Sequence, residues 1–294
     1  MIGVLNVNKP PSFTSHDVVA VVRKIFQEKQ IGHLGTLDPL ATGVLPLAIG
    51  NATRLVEYAS YEKEYRAVCL LGKTTDSCDV TGRILTEKPM LELSPERVTE
   101  EVLKLKAITA QKPPMVSAVK TGGQKLYELA RKGIVVERRA RPIQIHEIEV
   151  LSVELPRVSF RVICSPGTYV RVLCEFLGEV LGVGGCMEQL QRTQVGPFGL
   201  EDALTLDEIK KRVETQNFSG LLLPASLLVA HLPEIQLEES QLKALCLGQK
   251  LKSDITFTGS ARVMNGQRRL CAIVESLPEG LIKPRKVFGV EGLF

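Results

Sequence analysis

The sequence predicts an α+β protein, a mixed and largely antiparallel sheet with flanking helices, followed by a small C-terminal β-barrel. Three observations carry this. Strand-like and helix-like stretches are mixed without the regular βα alternation of a doubly wound sheet. Two alternating runs, 143–153 and 158–164, flank Leu155-Pro156 and read as a hairpin. After Leu223-Pro224 and Leu232-Pro233 the chain breaks into short strand-like pieces divided by Gly, Asn and Pro, which sets a domain boundary between 1–232 and 233–294.

The elements follow in order. Val4-Leu5-Asn6-Val7 reads as a strand that stops at Lys9-Pro10-Pro11, because proline cannot extend a ladder. A helix follows, with Ser15 as the expected N-cap and Val18, Val19, Val22, Ile25 and Phe26 at helical spacing up to about Lys29. Residues 65–71 and 80–85 read as strands around a polar loop at 73–79. Ser94-Pro95-Glu96 supplies a cap, a proline at the first helical position and early negative charge for a helix to about Lys106. Residues 115–119 read as a strand, Gly122-Gly123 as a turn, and 126–132 as a helix closed by Gly133. Residues 169–181 read as a helix, and 255–257, 261–264, 270–274 and 287–290 as the strands of the tail.

The 294 residues are 44% hydrophobic and 24% charged, which excludes collagen-like, coiled-coil and disordered readings. No apolar run approaches the roughly 20 residues of a membrane span. The N-terminus lacks the basic and apolar regions of a secretion signal, so the cytoplasm is the expected compartment. Seven cysteines with no Cys-x-x-Cys point to buried free thiols rather than disulfides or a zinc site. The histidines at 16, 33, 146 and 231 are scattered, no Gly-x-x-x-x-Gly-Lys occurs, and Gly182-Val183-Gly184-Gly185 has Met187 where a dinucleotide loop needs its third glycine. Neither a metal nor a nucleotide cofactor is expected.

A net charge of +4 decides little, but its distribution is informative. Between residues 120 and 141, Lys120, Lys125, Arg131, Lys132, Arg138, Arg139 and Arg141 face only Glu128 and Glu137. Such a local excess is what a phosphate-binding surface requires. A second basic cluster, Lys283, Arg285 and Lys286, reads as ordinary surface or as an extension of that footprint.

Between Lys29 and Arg54 the only formally charged residue is Asp38, in Gly32-His33-Leu34-Gly35-Thr36-Leu37-Asp38-Pro39-Leu40-Ala41-Thr42-Gly43. One reading is a helix N-cap with Pro39 in the first turn, which Gly43 and Pro46 would cut short. The other is a poorly solvated carboxylate acting as nucleophile or general base. Arg171 follows the tight turn Ser165-Pro166-Gly167; with Thr168 as N-cap it would sit in a first helical turn, where a cation opposes the macrodipole and calls for an anionic partner. Asp38 is the expected partner, and Glu175 one turn on is the alternative.

These segments, with Asn8-Lys9-Pro10, Lys63-Glu64-Tyr65, Pro114-Met115-Val116-Ser117-Ala118-Val119-Lys120, Cys164-Ser165-Pro166-Gly167-Thr168-Tyr169-Val170-Arg171 and Arg192-Thr193-Gln194-Val195-Gly196-Pro197-Phe198, resemble the TruB family of tRNA pseudouridine-55 synthases. The tail resembles the RNA-binding PUA barrel. The resemblance implies the pseudouridine synthase fold and isomerisation of a T-loop uridine of tRNA without cofactor or metal. It implies that Asp38 is the essential carboxylate, Arg171 its ionic partner and Tyr65 the aromatic stacked on uracil. By the same resemblance His33 enters the T-loop when the base flips, Lys9 supports the active-site loop, and Tyr169 and Arg192 join the RNA-binding set. The basic stretch becomes an RNA-gripping insertion around 115–142, hinged at Gly122, Gly123 and Gly133. The expected partner is the tRNA T-arm, with no membrane, no obligatory protein partner and a monomeric chain. Gln191 departs from the basic residue more usual there, and Pro39-Leu40-Ala41-Thr42 resembles the bacterial stand-alone enzymes. The competing functions are a non-catalytic RNA-binding or folding factor and a glycosidase-like hydrolase, the latter needing a second carboxylate.

Overall fold

The computed structural model describes residues 1–89, 93–117, 119–253, 255–290 and 292. The chain opens with β1 (Gly3–Lys9), α1 (Ser15–Phe26), β2 (Ile31–His33), β3 (Thr42–Ile49) and β4 (Lys63–Leu71). A hairpin of β5 (Lys73–Thr75) and β6 (Ile84–Glu87) leads to α2 (Pro95–Lys104). Short strands β7 (Ala110–Gln111), β8 (Lys120–Thr121), β9 (Gln124–Lys125) and β10 (Arg141–Pro142) enclose α3 (Leu126–Arg131). Then come β11 (Ile145–Glu154), β12 (Arg157–Cys164), α4 (Val170–Leu181), β13 (Gly185–Val195), β14 (Phe198–Gly199) and α5 (Leu206–Glu214). The tail holds β15 (Glu234–Gln236), α6 (Glu239–Cys246), β16 (Leu251–Lys252), β17 (Ser260–Met264), β18 (Leu270–Ser276) and β19 (Leu281–Val287).

The main sheet runs β1-β3-β13-β4-β12-β11, with β2 on β3 and β14 on β13. Its pairings are antiparallel except β13 with β3, in keeping with the predicted mixed α+β class. Side-chain alternation assigns the two faces. From β3, Leu45, Leu47 and Ile49 join a core with Val18 and Val22 of α1, Val98 of α2 and Leu173 and Leu177 of α4, while Val44 and Ala48 pack on the other side with Val4, Leu228 and Val229. The tail strands form a second sheet, β15-β17-β18-β19-β16, beginning one residue after Pro233. Its Met264, Leu270 and Ile273 share the cluster of Val4 and Ala48, so the tail is packed onto the body.

Several local expectations are corrected. Thr14, not Ser15, caps α1: its hydroxyl accepts from Asp17 N–H while the Asp17 carboxylate accepts from Thr14 N–H. Residues 115–117 bend instead of forming a strand, and Ala118 lies outside the described residues. The strand expected at 80–85 begins only at Ile84, because Asp79 and Thr81 form a turn. In the tail, residue 254 lies outside the described residues, 255–257 are not strand, and the last strand ends at Val287. Pro284 sits inside it, opposite Val274 beside a register shift, where the missing N–H is tolerated.

Candidate active site

The loop 34–41 between β2 and β3 carries Asp38. It is not a helix: a single turn closes from Ala41 N–H to the Asp38 carbonyl at 3.0 Å, so the N-cap reading fails. Gly43 has φ +100°, and a side chain there would start 2.2 Å from the Arg192 carbonyl oxygen, so only glycine lets the strands meet.

The loop's backbone is gripped from several directions. The wholly buried Lys9 donates through Nζ to the carbonyls of Pro39 (3.2 Å), Pro10 (2.9 Å) and Phe13 (2.6 Å). Ser12 N–H donates to the same Pro39 carbonyl. On the other side of Asp38, Ser15 Oγ accepts from Leu37 N–H at 2.8 Å and donates to the Leu37 carbonyl at 3.3 Å. Burial lowers the Lys9 pKa to about 8, with the Asp38 charge opposing that shift.

Arg171 lies in the first turn of α4, which Tyr169 rather than Thr168 caps. It is 3% exposed and bridges two carboxylates, with Nη2 3.4 Å from Asp38 Oδ1 and Nη1 3.8 Å from Asp79 Oδ2. It also donates to the carbonyls of Ser77 and Val116, so the root of the basic insertion touches the site. Among the described residues Arg171 forms no ion pair with Glu175, and the macrodipole cost is met by Asp38 and Asp79. Asp79 is buried and accepts from Ser77 Oγ, Thr81 N–H and Thr81 Oγ1. Asp38 keeps 30% of its side chain exposed; burial raises its pKa, opposed by Arg171. The reachable carboxylate is thus Asp38, and Asp79 is too enclosed to serve a hydrolase as a second one.

Tyr65 lies on β4, 6% exposed and directly across from Arg192 on β13. Burial raises its hydroxyl pKa, opposed by the Arg192 charge. His33 stands edge-on to His16 with ring centroids 5.4 Å apart, its Nδ1 accepting from Gly35 N–H. Burial lowers its pKa to about 4, leaving it neutral near pH 7. Tyr169 is half-buried, with its backbone held by both ends of the Gln111 amide.

Arg192 is a correction. It is fully buried, donating through Nε to the Val44 carbonyl (2.7 Å) and through Nη2 to the Gly35 carbonyl (3.2 Å). It braces both ends of the Asp38 loop and offers no surface to a phosphate.

The basic segment differs. Lys120, Arg131, Lys132, Arg139 and Arg141 are exposed, Lys125 and Arg138 half-buried, and none of the seven has a carboxylate in ion-pair range among the described residues. Lys125 and Arg131 each lie 5.4 Å from the Tyr127 ring centroid. The C-terminal cluster is paired: Lys283 and Arg285 share Glu275, and Lys286 meets Glu57. Sequence reading missed three contributors. Asp79 sits in a polar loop whose alternating Thr75, Ser77, Asp79 and Thr81 were its only signal, Ser15 was read as a cap, and Tyr127 was read only as helix.

Residues 23–170 match the TruB family pseudouridylate synthase N-terminal domain, and residues 171–230 the tRNA pseudouridylate synthase B C-terminal domain. The chain is 43% identical to the tRNA pseudouridine synthase B of Heliobacterium mobile, covering 97% of this chain and 94% of that protein. With its counterpart from Clostridium tetani it shares 44% identity over 86% of each chain. It is also similar to a solved chain of a Cbf5-Nop10-Gar1 complex, with TM-score 0.77, 29% identity, and coverage of 97% of this chain and 84% of that one. Fold and site together define a pseudouridine synthase, an enzyme that isomerises uridine within RNA. The chain belongs to the TruB family, whose reaction converts uridine to pseudouridine in tRNA.

Proposed function

We propose that the substrate is the T-loop uridine at position 55 and that Asp38 supplies the reacting carboxylate. In this reaction the N1–C1′ bond breaks, C1′ rejoins the ring at C5, the C5 proton leaves and N1 takes a proton. The observation that carries the reading is Asp38 itself: a partly exposed carboxylate, ion-paired to a buried Arg171, on a loop gripped before and after it. A base within a folded loop must be extruded, at a cost of a few kcal/mol. Tyr65 stacks on the extruded uracil, which contributes roughly 1–3 kcal/mol. His33, neutral and at the loop's entrance, fills the vacated space.

The unpaired cations of residues 120–141 grip the T-arm backbone by charge and shape. Gly122, Gly123 and Gly133, all at positive φ with open space around them, act as its hinges. The catalytic unit spans 1–232. Residues 233–294, whose five-stranded sheet begins at Glu234, serve as a PUA-like RNA-binding tail on a monomeric cytoplasmic enzyme with no obligatory protein partner.

Tritium release from tRNA labelled at uridine C5 tests this. Release at position 55 without free uracil is expected. Tight tRNA binding without release would favour the non-catalytic RNA-binding factor, and free uracil a hydrolase.

A further inference from the structure

Lys63, the first residue of β4, carries a cation whose surroundings are incomplete. Its backbone is tied into the sheet opposite Cys164 and Val195. Its side chain lies against the turn that opens the Asp38 loop: Nζ is 3.0 Å from where a side chain on Gly35 would start, and Gly35 adopts φ +121°. Arg192 Nη1 lies 3.8 Å from the same point and has no hydrogen-bond partner. Among the described residues no carboxylate lies within ion-pair range of Lys63 or Arg192. The remaining titratable neighbours are His33, which is neutral, and the buried Cys164 thiol, with the Tyr65 hydroxyl and the Lys9 ammonium group also facing Arg192.

Two cationic groups thus converge on one turn with no counter-charge. A desolvated, unpaired cation is costly, and a second cation beside it adds repulsion. An arriving anion reverses both terms. Burial accordingly lowers the Lys63 pKa to about 8, and an anion would hold the proton in place.

We infer that Lys63 is a phosphate-binding residue: its ammonium group, backed by Arg192, receives one phosphodiester of the RNA strand that enters beside the Gly35 turn. Arg192 itself stays buried and contributes field rather than contact. This inference rests on the T-loop reading above, since it requires the strand to pass the Asp38 loop. It gives Lys63 a role separate from the basic insertion, fixing the strand next to the reacting nucleotide.

The experiment is a binding cycle with an inactive Asp38→Asn background and a T-arm stem–loop. Lys63→Met and Lys63→Arg are compared over a range of salt, on RNA carrying a single uncharged methylphosphonate at the linkage 5′ or 3′ to the target uridine. Lys63→Met should weaken binding about tenfold and lower the salt slope by about 0.7–0.9, the loss of one phosphate contact, while Lys63→Arg retains most of the affinity. One of the two substituted linkages should weaken the Lys63 protein by a similar factor and leave K63M unaffected. The free K63M protein should also melt at a higher temperature, because an unpaired cation has gone. Additive losses at both linkages, an unchanged salt slope, or a fall in the melting temperature with unchanged affinity would overturn the proposal. Pseudouridine formation by the wild-type chain on the same stem–loop is scored separately. If it proceeds while the linkages show no coupling, only the phosphate site fails; if coupling is present without isomerisation at the T-loop uridine, only the T-loop reading fails.

Discussion

The Asp38 loop and the basic segment 120–141 are built to opposite specifications. Around Asp38, Lys9, Ser12, Ser15 and Arg192 each bond a backbone group of the loop or its flanks, and the carboxylate's own partner Arg171 is buried. Along the basic segment the charges lack acidic partners among the described residues, and a side chain at Gly122, Gly123 or Gly133 would meet only open space. Chemistry, the role proposed for Asp38, needs atoms held within fractions of an ångström, which an over-determined loop supplies. Gripping a phosphate backbone, the role proposed for residues 120–141, needs charge and adaptable shape, which an open segment supplies. Lys283, Arg285 and Lys286 of the tail show the third case: each already pairs with Glu275 or Glu57.

Substitutions that confuse these specifications should separate the regions. The largest effect is expected at Asp38→Asn, which preserves size and removes the charge: turnover should fall by about 10⁴-fold or more with tRNA affinity retained, read by tritium release beside a binding isotherm. Wild-type turnover would remove Asp38 from the reaction.

Ser15→Ala should come next, since it leaves both backbone groups of Leu37 buried and unbonded, at about 1–3 kcal/mol. Turnover should fall with KM little changed, and a loss confined to KM would break the link between loop rigidity and rate. Neutralising Arg138, Arg139 and Arg141 together should do the reverse, weakening binding and lowering the salt slope by about 2–3, with saturated turnover preserved. Removing Lys283 and Arg285 should move that slope least, because Glu275 already screens them. A slope change as large as that of the arginine triplet would place RNA on the tail's basic edge.

The pH profile sharpens the same contrast. In the proposed reaction Asp38 acts ionised, and burial raises its pKa in the folded enzyme, so activity should rise with pH through a midpoint above the usual carboxylate range. The affinity contributed by the arginine triplet should stay flat across that interval. An acid limb at or below the ordinary aspartate pKa would mean that Arg171 outweighs burial.

Asp38 was legible because it is the one charge between Lys29 and Arg54, among glycines and prolines that are costly to order. Arg171 was legible because a cation at a helix N-terminus needs an anion. Asp79 was not: 92 residues separate it from Arg171 in the chain, and an aspartate among threonines and serines reads as a solvated turn. Ser15 was read as a cap because Thr14 and Ser15 are chemically equivalent candidates, and only Asp17's reciprocal bond to Thr14 decides between them. The expected strand at 115–119 failed because the Val116 carbonyl is taken by Arg171 rather than by a neighbouring strand.

Composition and pattern by themselves determined the α+β class, the hairpin of β11 and β12, the concentration of basic charge and the isolation of one carboxylate. These are properties of neighbours in the chain, where periodicity and charge are local sums. Only the tertiary structure decided which cations are free and which are spent. Arg192 and Lys283 are both basic residues in sequence, yet one is sealed beneath the Asp38 loop and the other paired with Glu275, because pairing and burial depend on distances the fold alone sets.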